Sequence, residues 1–312
     1  MFRATVSLRA YNRVAWACLV SLYTIIVTGS LVRLTGSGLG CADWPRCSDQ
    51  HFVDVSTMHS AIEQINRLFT GVVAIAVSAA ALLSFRLRPR QRPLVWLSVG
   101  LVAGVVIQVL IGAVVVISGL HPAFNMAHYL VSILLVTLAF AMLKRVGSLR
   151  QDAISTAGND ALVLPDGDIS GPTRRLISLI VVLFAGVLVA GTVVTGAGPH
   201  AGDETAPRFS LSIQTATRFH SAIVWVALAT VIVLYLRIRR IPNEWNILAK
   251  GLETVAVLLV FQGSLGYFQY YLDAPAGLVA IHVAVSAAVW ISILALLDSA
   301  RVSLTLRQFV LD

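Results

Sequence analysis

The chain has 312 residues, of which 57% are hydrophobic and only 12% charged, and its formal net charge is +8. A soluble domain carries about 25% charged residues, so this composition, with a mean hydropathy of +0.84, excludes an ordinary soluble enzyme and points to a lipid bilayer as solvent. The positive balance excludes less than it suggests: the basic residues sort by membrane side, which marks topology and not nucleic-acid binding.

Eight apolar runs are long enough to cross about 30 Å of hydrocarbon as helices. They fall near 14–34, 58–84, 94–117, 123–143, 175–196, 212–236, 247–271 and 277–299. Backbone groups in lipid have no water to bond, so each run is expected to be helical. The first run follows Arg3, Arg9 and Arg13; it is too long for a signal-peptide core, lacks an A-x-A site behind it, and is read as an anchor. Next comes a loop with Cys41 and Cys47, then a second run bearing Glu63, Asn66 and Arg67, closed by Arg86, Arg88, Arg90 and Arg92. Gln108 lies in the third run and His128 in the fourth. Lys144, Arg145, Arg150, Arg174 and Arg175 flank the one long polar stretch, 146–174, which holds Asn159, Asp160, Pro165, Asp166 and Asp168. Arg218 and His220 lie in the sixth run, followed by Arg237, Arg239, Arg240 and Lys250; Gln262 lies in the seventh and His282 in the eighth, before Arg301 and Arg307. Thus 18 of the 23 Lys and Arg fall on one side, leaving only Arg33, Arg46, Arg67, Arg208 and Arg218 toward the other. The positive-inside rule places both termini in the cytoplasm of a cell-membrane protein.

The polar stretch divides the spans four and four, and the halves repeat. Gln108-x-x-x-Gly112 and Gln262-x-x-x-Gly266 are 154 residues apart, as are His128-x-x-x-Ser132 and His282-x-x-x-Ser286, and Asn66 and His220. Thr35-Gly36-Ser37-Gly38 and Thr195-Gly196-Ala197-Gly198 follow the first span of each half. The expected architecture is therefore all-α: eight transmembrane helices as two tandem four-helix bundles, residues 1–145 and 175–312, joined by a cytoplasmic linker 146–174. Because each half has an even number of spans, the bundles are expected to be related by a pseudo-two-fold axis along the membrane normal.

Asn66, His128, His220 and His282 are expected at one depth, one to three turns below the outer surface. Ionisable side chains within a membrane are costly and mark function by default, although a single histidine can equally be an interhelical hydrogen-bonder. Two imidazoles facing each other across a bundle suit haem iron, which takes axial ligands from two helices. His220 and His282 are thus the expected ligands of a b-type haem; zinc, wanting three or four clustered ligands, fits less well. Gln108 and Gln262 either orient the ring or its haem, or join helices. Arg67 and Arg218 either pair with haem propionates or snorkel to the interface. The first half differs by having Asn66 in place of a histidine and an acid, Glu63, one helical turn away on the same face. One pocket therefore reads as electron-transferring and the other as reactive. His59 reads as an interfacial histidine or a second-site ligand. Cys18 reads as buried, and Cys41 and Cys47, on an oxidising face, as a disulfide that is either structural or exchangeable.

Together these residues resemble the haem A synthase family over about 14–300. The matching pieces are Thr35-Gly36-Ser37-Gly38-Leu39-Gly40-Cys41 with Asp43-Trp44-Pro45-Arg46-Cys47, Glu63-x-x-Asn66-Arg67, His128, Gly198-Pro199-His200-Ala201-Gly202-Asp203, His220 and His282. The resemblance implies oxidation of the C8 methyl of haem O to a formyl group by successive hydroxylations, giving haem A for terminal cytochrome oxidase. It implies a b-type haem on His220 and His282, and substrate haem O in the first half with His128 as ligand and Glu63 as the important acid. Many members have histidine where this chain has Asn66, so bis-histidine ligation of the substrate does not carry over. The implied partners are haem O synthase, the oxidase assembly route and an electron partner that the sequence does not name. A di-haem cytochrome b is the main alternative; it explains the histidine pairs but not Glu63. A transporter built from parallel repeats is the other, disfavoured by the lack of proline inside the histidine-bearing spans.

Overall fold

The computed structural model describes residues 6–41, 43–157 and 169–310. Arg3 and the linker residues Asn159, Asp160, Pro165, Asp166 and Asp168 lie outside the described residues, as do the side chains of Arg301 and Arg307. Among the described residues the order is α1 (Leu8–Leu34), α2 (Met58–Ser84), α3 (Arg92–Ile117), α4 (Pro122–Ala157), α5 (Gly171–Ala197), α6 (Ile213–Ile238), α7 (Pro242–Tyr271) and α8 (Ala276–Val310). All eight are long and apolar enough to cross a membrane. The expected spans are therefore present, and several are longer than expected: α1 starts at Leu8 and α7 at Pro242, and α8 runs to Val310 where 299 was expected. The fourth was expected to end near 143, yet α4 continues to Ala157. Hydropathy marks where lipid ends, whereas Lys144, Arg145, Leu149, Arg150 and Gln151 are strong helix formers that carry the helix onward.

Local chemistry sets the helix starts. Ser7 and Ser212 accept the backbone N–H three residues ahead, from Ala10 and Thr215, each at 3.2 Å. Thr57 and Ser60 form a reciprocal capping box at the head of α2. Proline stands in the first turn of α3, α4 and α7, where its missing N–H leaves no intrahelical bond unmade.

The chain forms two compact units. In unit 1, α1 packs on α2 and α4, and α3 packs on α2 and α4, which closes a four-helix ring. Unit 2 contains α6 through α8 and most of α5: α7 packs on both α6 and α8, and Phe184 of α5 stacks on Trp290 of α8 with ring centroids 6.3 Å apart. Residues Thr195–Ser210, although they follow α5, belong to unit 1. The repeat extends to the backbone of the turns. Gly119 and Leu120 between α3 and α4 have φ of 63° and 62°, and Asp273 and Ala274 between α7 and α8 have 56° and 54°. These pairs are again 154 residues apart, so two left-handed residues make the same reversal in both units even where glycine is absent.

Candidate haem sites

In unit 2 the histidines come from α6 and α8, and each ring lies against a glycine of a neighbouring helix. A Cβ at Gly191 of α5 would stand 3.3 Å from His220 Cε1 and 3.6 Å from Nδ1; one at Gly266 of α7 would stand 3.3 Å and 3.8 Å from the same atoms of His282. Any larger residue would have to push the ring away. In both cases the Cε1–Nδ1 edge meets the glycine and Nε2 does not. Gln262 Nε2 donates to the His282 carbonyl at 2.9 Å, tying α7 to α8 at this level. Neither Nδ1 of His220 nor that of His282 closes a hydrogen bond of ordinary geometry, although both atoms are buried.

Unit 1 follows the same plan. A Cβ at Gly112 of α3 would stand 3.5 Å from His128 Cε1 and 4.0 Å from Nδ1, and His128 Nδ1 is also buried without a partner. Gln108 Nε2 donates to the His128 carbonyl at 2.9 Å and to Ser132 Oγ, and Ser132 Oγ donates to the same carbonyl at 3.0 Å. On α2 stands Asn66, whose Oδ1 accepts from Thr28 Oγ1 at 2.8 Å and whose Nδ2 would lie 3.9 Å from a Cβ at Gly29 of α1. All four positions singled out by the repeat are thus faced by a glycine of an adjacent helix. Imidazoles placed by packing, with Nε2 turned away from the glycine that holds the ring, fit axial ligation of haem iron. Among the described residues no three of His, Cys, Asp and Glu gather as a metal site of their own.

Glu63 is buried, 5% exposed, and its carboxylate is fully engaged. Oε1 accepts from Arg67 Nη2 at 2.6 Å and Nε at 3.0 Å, and Oε2 accepts from the Cys41 N–H at 2.7 Å. Arg67 continues to the carbonyls of Cys41, Asp43 and Arg46 at 3.1, 3.1 and 3.3 Å. The pair thus fastens α2 to the loop closed by the Cys41–Cys47 disulfide. Arg67 spends its donors on this loop, and Arg218 is exposed on α6. His59 is also exposed, with Nδ1 2.9 Å from Ser37 Oγ; Cys18 is buried and unpaired.

Residues 195–210 cap the loop end of unit 1. Gly38 N donates to the Gly202 carbonyl at 2.8 Å, and Ala201 and Ala206 pack with Val115 and Leu120. Thr205 donates to Asp203 through both its N–H and hydroxyl, at 2.8 and 2.6 Å, which holds the Asp203 carboxyl below the usual carboxylate range. Arg33, at the end of α1, donates from Nη2 to the Thr195 carbonyl at 2.6 Å.

The model of the cytochrome oxidase assembly protein family matches residues 12–63 and 52–294. The chain belongs to that family. Within it, a protein named heme A synthase from Bacillus pumilus (strain SAFR-032) is 33% identical over 112 residues, 35% of this chain and 36% of that protein. Another of the same name from Bacillus mycoides (strain KBAB4) is 30% identical over 125 residues, 39% of this chain and 40% of that protein. The aligned stretch spans well under half the length of these curated relatives. Family membership and both names support the haem A synthase resemblance read from the sequence.

Sequence reasoning missed the glycines and Arg33. Gly112 and Gly266 marked the repeat but were given no role, although four residues after Gln108 and Gln262 they share the face of the helix that those glutamines present to the histidine-bearing neighbour. Gly29 and Gly191 carried no signal, because their separation of 162 falls outside the 154-residue register. Arg33 was read only for its side of the membrane.

Proposed function

We propose that the chain is a haem A synthase, oxidising the C8 methyl of haem O to a formyl group by successive hydroxylations. His220 and His282 hold a b-type haem in unit 2, and unit 1 takes haem O with His128 as its one imidazole ligand. When bound, a haem in unit 2 supplies single-electron transfer. The glycines at 191 and 266 keep its ligand rings in place; Gln262 fixes the backbone of His282 and Gln108 that of His128. Glu63 is a fixed anion beside the reacting pocket, held by Arg67, and suits stabilising positive charge that develops on the substrate. Haem O synthase, oxidase assembly and an electron donor or acceptor are the partners this reading requires. The haem levels face the outer side of the cell membrane, both termini are cytoplasmic, and a pseudo-two-fold axis runs along the membrane normal.

The observation that carries the reading is the difference between two otherwise matched levels: paired imidazoles in one unit, and one imidazole with a buried acid–arginine pair in the other. Co-expression with a haem O source, followed by pigment extraction, tests it. Haem A is expected from the wild type. Glu63→Gln is expected to keep the unit 2 haem spectrum and lower haem A output at least tenfold. Extracts holding haem b and haem O but no haem A from the wild type would leave a di-haem electron-transfer protein instead.

A further inference from the structure

We propose that Arg33 and Arg208 form a carboxylate clamp at the loop end of unit 1 that grips the propionates of its haem substrate; the clamp rests on the reading of unit 1 as a haem pocket. Sequence reasoning offered Arg67 for such a role, but Arg67 is spent on Glu63 and on three loop carbonyls. Arg33 is not. Its Nη2 bonds the Thr195 carbonyl, while its Nε is buried with no hydrogen-bond partner. Among the described residues no carboxylate pairs with Arg33 or Arg208. Phe209 N donates to the Gly196 carbonyl at 3.0 Å, which sets Arg208 on the stretch of loop beside Thr195, whose carbonyl Arg33 holds. Asp203, an acid of the same loop, is turned onto Thr205.

Position supplies the second half of the case. Arg33 is four residues after Gly29 on α1, hence on the same helix face and about 6 Å farther toward the loop end. Gly29 is the residue that faces Asn66. Arg33 therefore sits one turn beyond the level of Asn66, toward the loop that carries Arg208. The two propionates of a haem leave one edge of the macrocycle, and two guanidiniums offer them planar, bidentate donors. A cap on the α1 dipole explains a basic residue in the last turn, but not a stranded Nε or a second arginine beside it. The arrangement is particular to unit 1: when Gly29 is aligned with Gly191, Arg33 corresponds to Thr195.

The clamp is tested on the purified full-length protein with its unit 2 haem bound, by titrating in ferric haem b or its dimethyl ester and following the second equivalent by difference absorbance. The wild type is expected to prefer the free acid at least tenfold. Arg33→Gln and Arg208→Gln should each narrow that preference several-fold without changing ester affinity, and Arg33→Lys should restore part of it. Arg208 is exposed, so its variant stays informative if Arg33→Gln folds poorly. A wild type that binds both forms equally, or a preference unchanged by Arg208→Gln and by a folded Arg33→Gln, removes the clamp and leaves the unit 1 haem pocket standing. A wild type that takes up neither form, or uptake that is undisturbed by His128→Ala, removes the pocket and the clamp together.

Discussion

His220 and His282 each present one ring edge to a glycine across a gap already tighter than most carbon contacts, at 3.3 Å to the missing Cβ, whereas Asn66 stands 3.9 Å from the equivalent point on Gly29. The three sites should therefore respond differently to one added methyl group. Overpacking a well-filled site typically costs about 1–3 kcal/mol, and here the yielding part is the ring that would hold iron. Gly191→Ala and Gly266→Ala are expected to lower the haem content of unit 2 several-fold, or to shift its reduced absorbance bands, with the helix content unchanged by circular dichroism. Gly29→Ala should leave that spectrum as it was. Equal spectra for all three variants would mean that these glycines do not set the ligand rings. The histidines themselves were legible in sequence because imidazole is rare and costly in lipid. The glycines were not, since glycine is common in membrane helices for other reasons.

The loop between α1 and α2 shows how an element is held by backbone contact. A Cβ on Gly40 would fall 2.4 Å from the His59 carbonyl oxygen and 2.8 Å from the Ser60 nitrogen. No side chain can retreat to make room, because the opposing atoms are the backbone of the first turn of α2. Gly40→Ala should lift the loop from α2 and break the Cys41 N–H bond to Glu63. The expected result is faster reduction of the Cys41–Cys47 disulfide by mild thiol, with a loss of about 1–3 kcal/mol from the stranded carboxylate oxygen. Unaltered reduction kinetics would place the anchor of the loop elsewhere. Existence and order of the elements were readable from apolar run length, and the disulfide from two cysteines on an oxidising face. Where α4 ends was not, because its last turns are charged and helical at once. Nor was the tie from Glu63 and Arg67 to the loop: a salt bridge one turn apart is visible in sequence, but three loop carbonyls converging on one guanidinium depend on tertiary folding.

At the scale of the molecule, duplication makes each unit a control for the other. The histidines 128 and 282, the glutamine-to-carbonyl bonds and the paired left-handed turns recur at a spacing of 154, so the units share these features and differ in the side chains around them. Asn66 occupies the place of His220, and Gly29 leaves more room beside it than Gly191 leaves beside His220. Asn66→His gives up one hydrogen bond, that from Thr28 Oγ1, and supplies unit 1 with a second imidazole at the position that matches His220 in the repeat. Haem b taken up by unit 1 of this variant should therefore give the low-spin spectrum of two axial imidazoles, whereas the wild type, with one imidazole, should give a high-spin spectrum for that haem. Electron paramagnetic resonance separates the two states, and the haem proposed for unit 2 serves as the bis-imidazole standard. If Asn66→His leaves the unit 1 signal unchanged, the two levels are not equivalent and the duplication stops short of the sites. If the signal converts, unit 1 lost its second imidazole by substitution at a position still shaped to accept one, and an iron with one open axial side beside Glu63 is the product of that change.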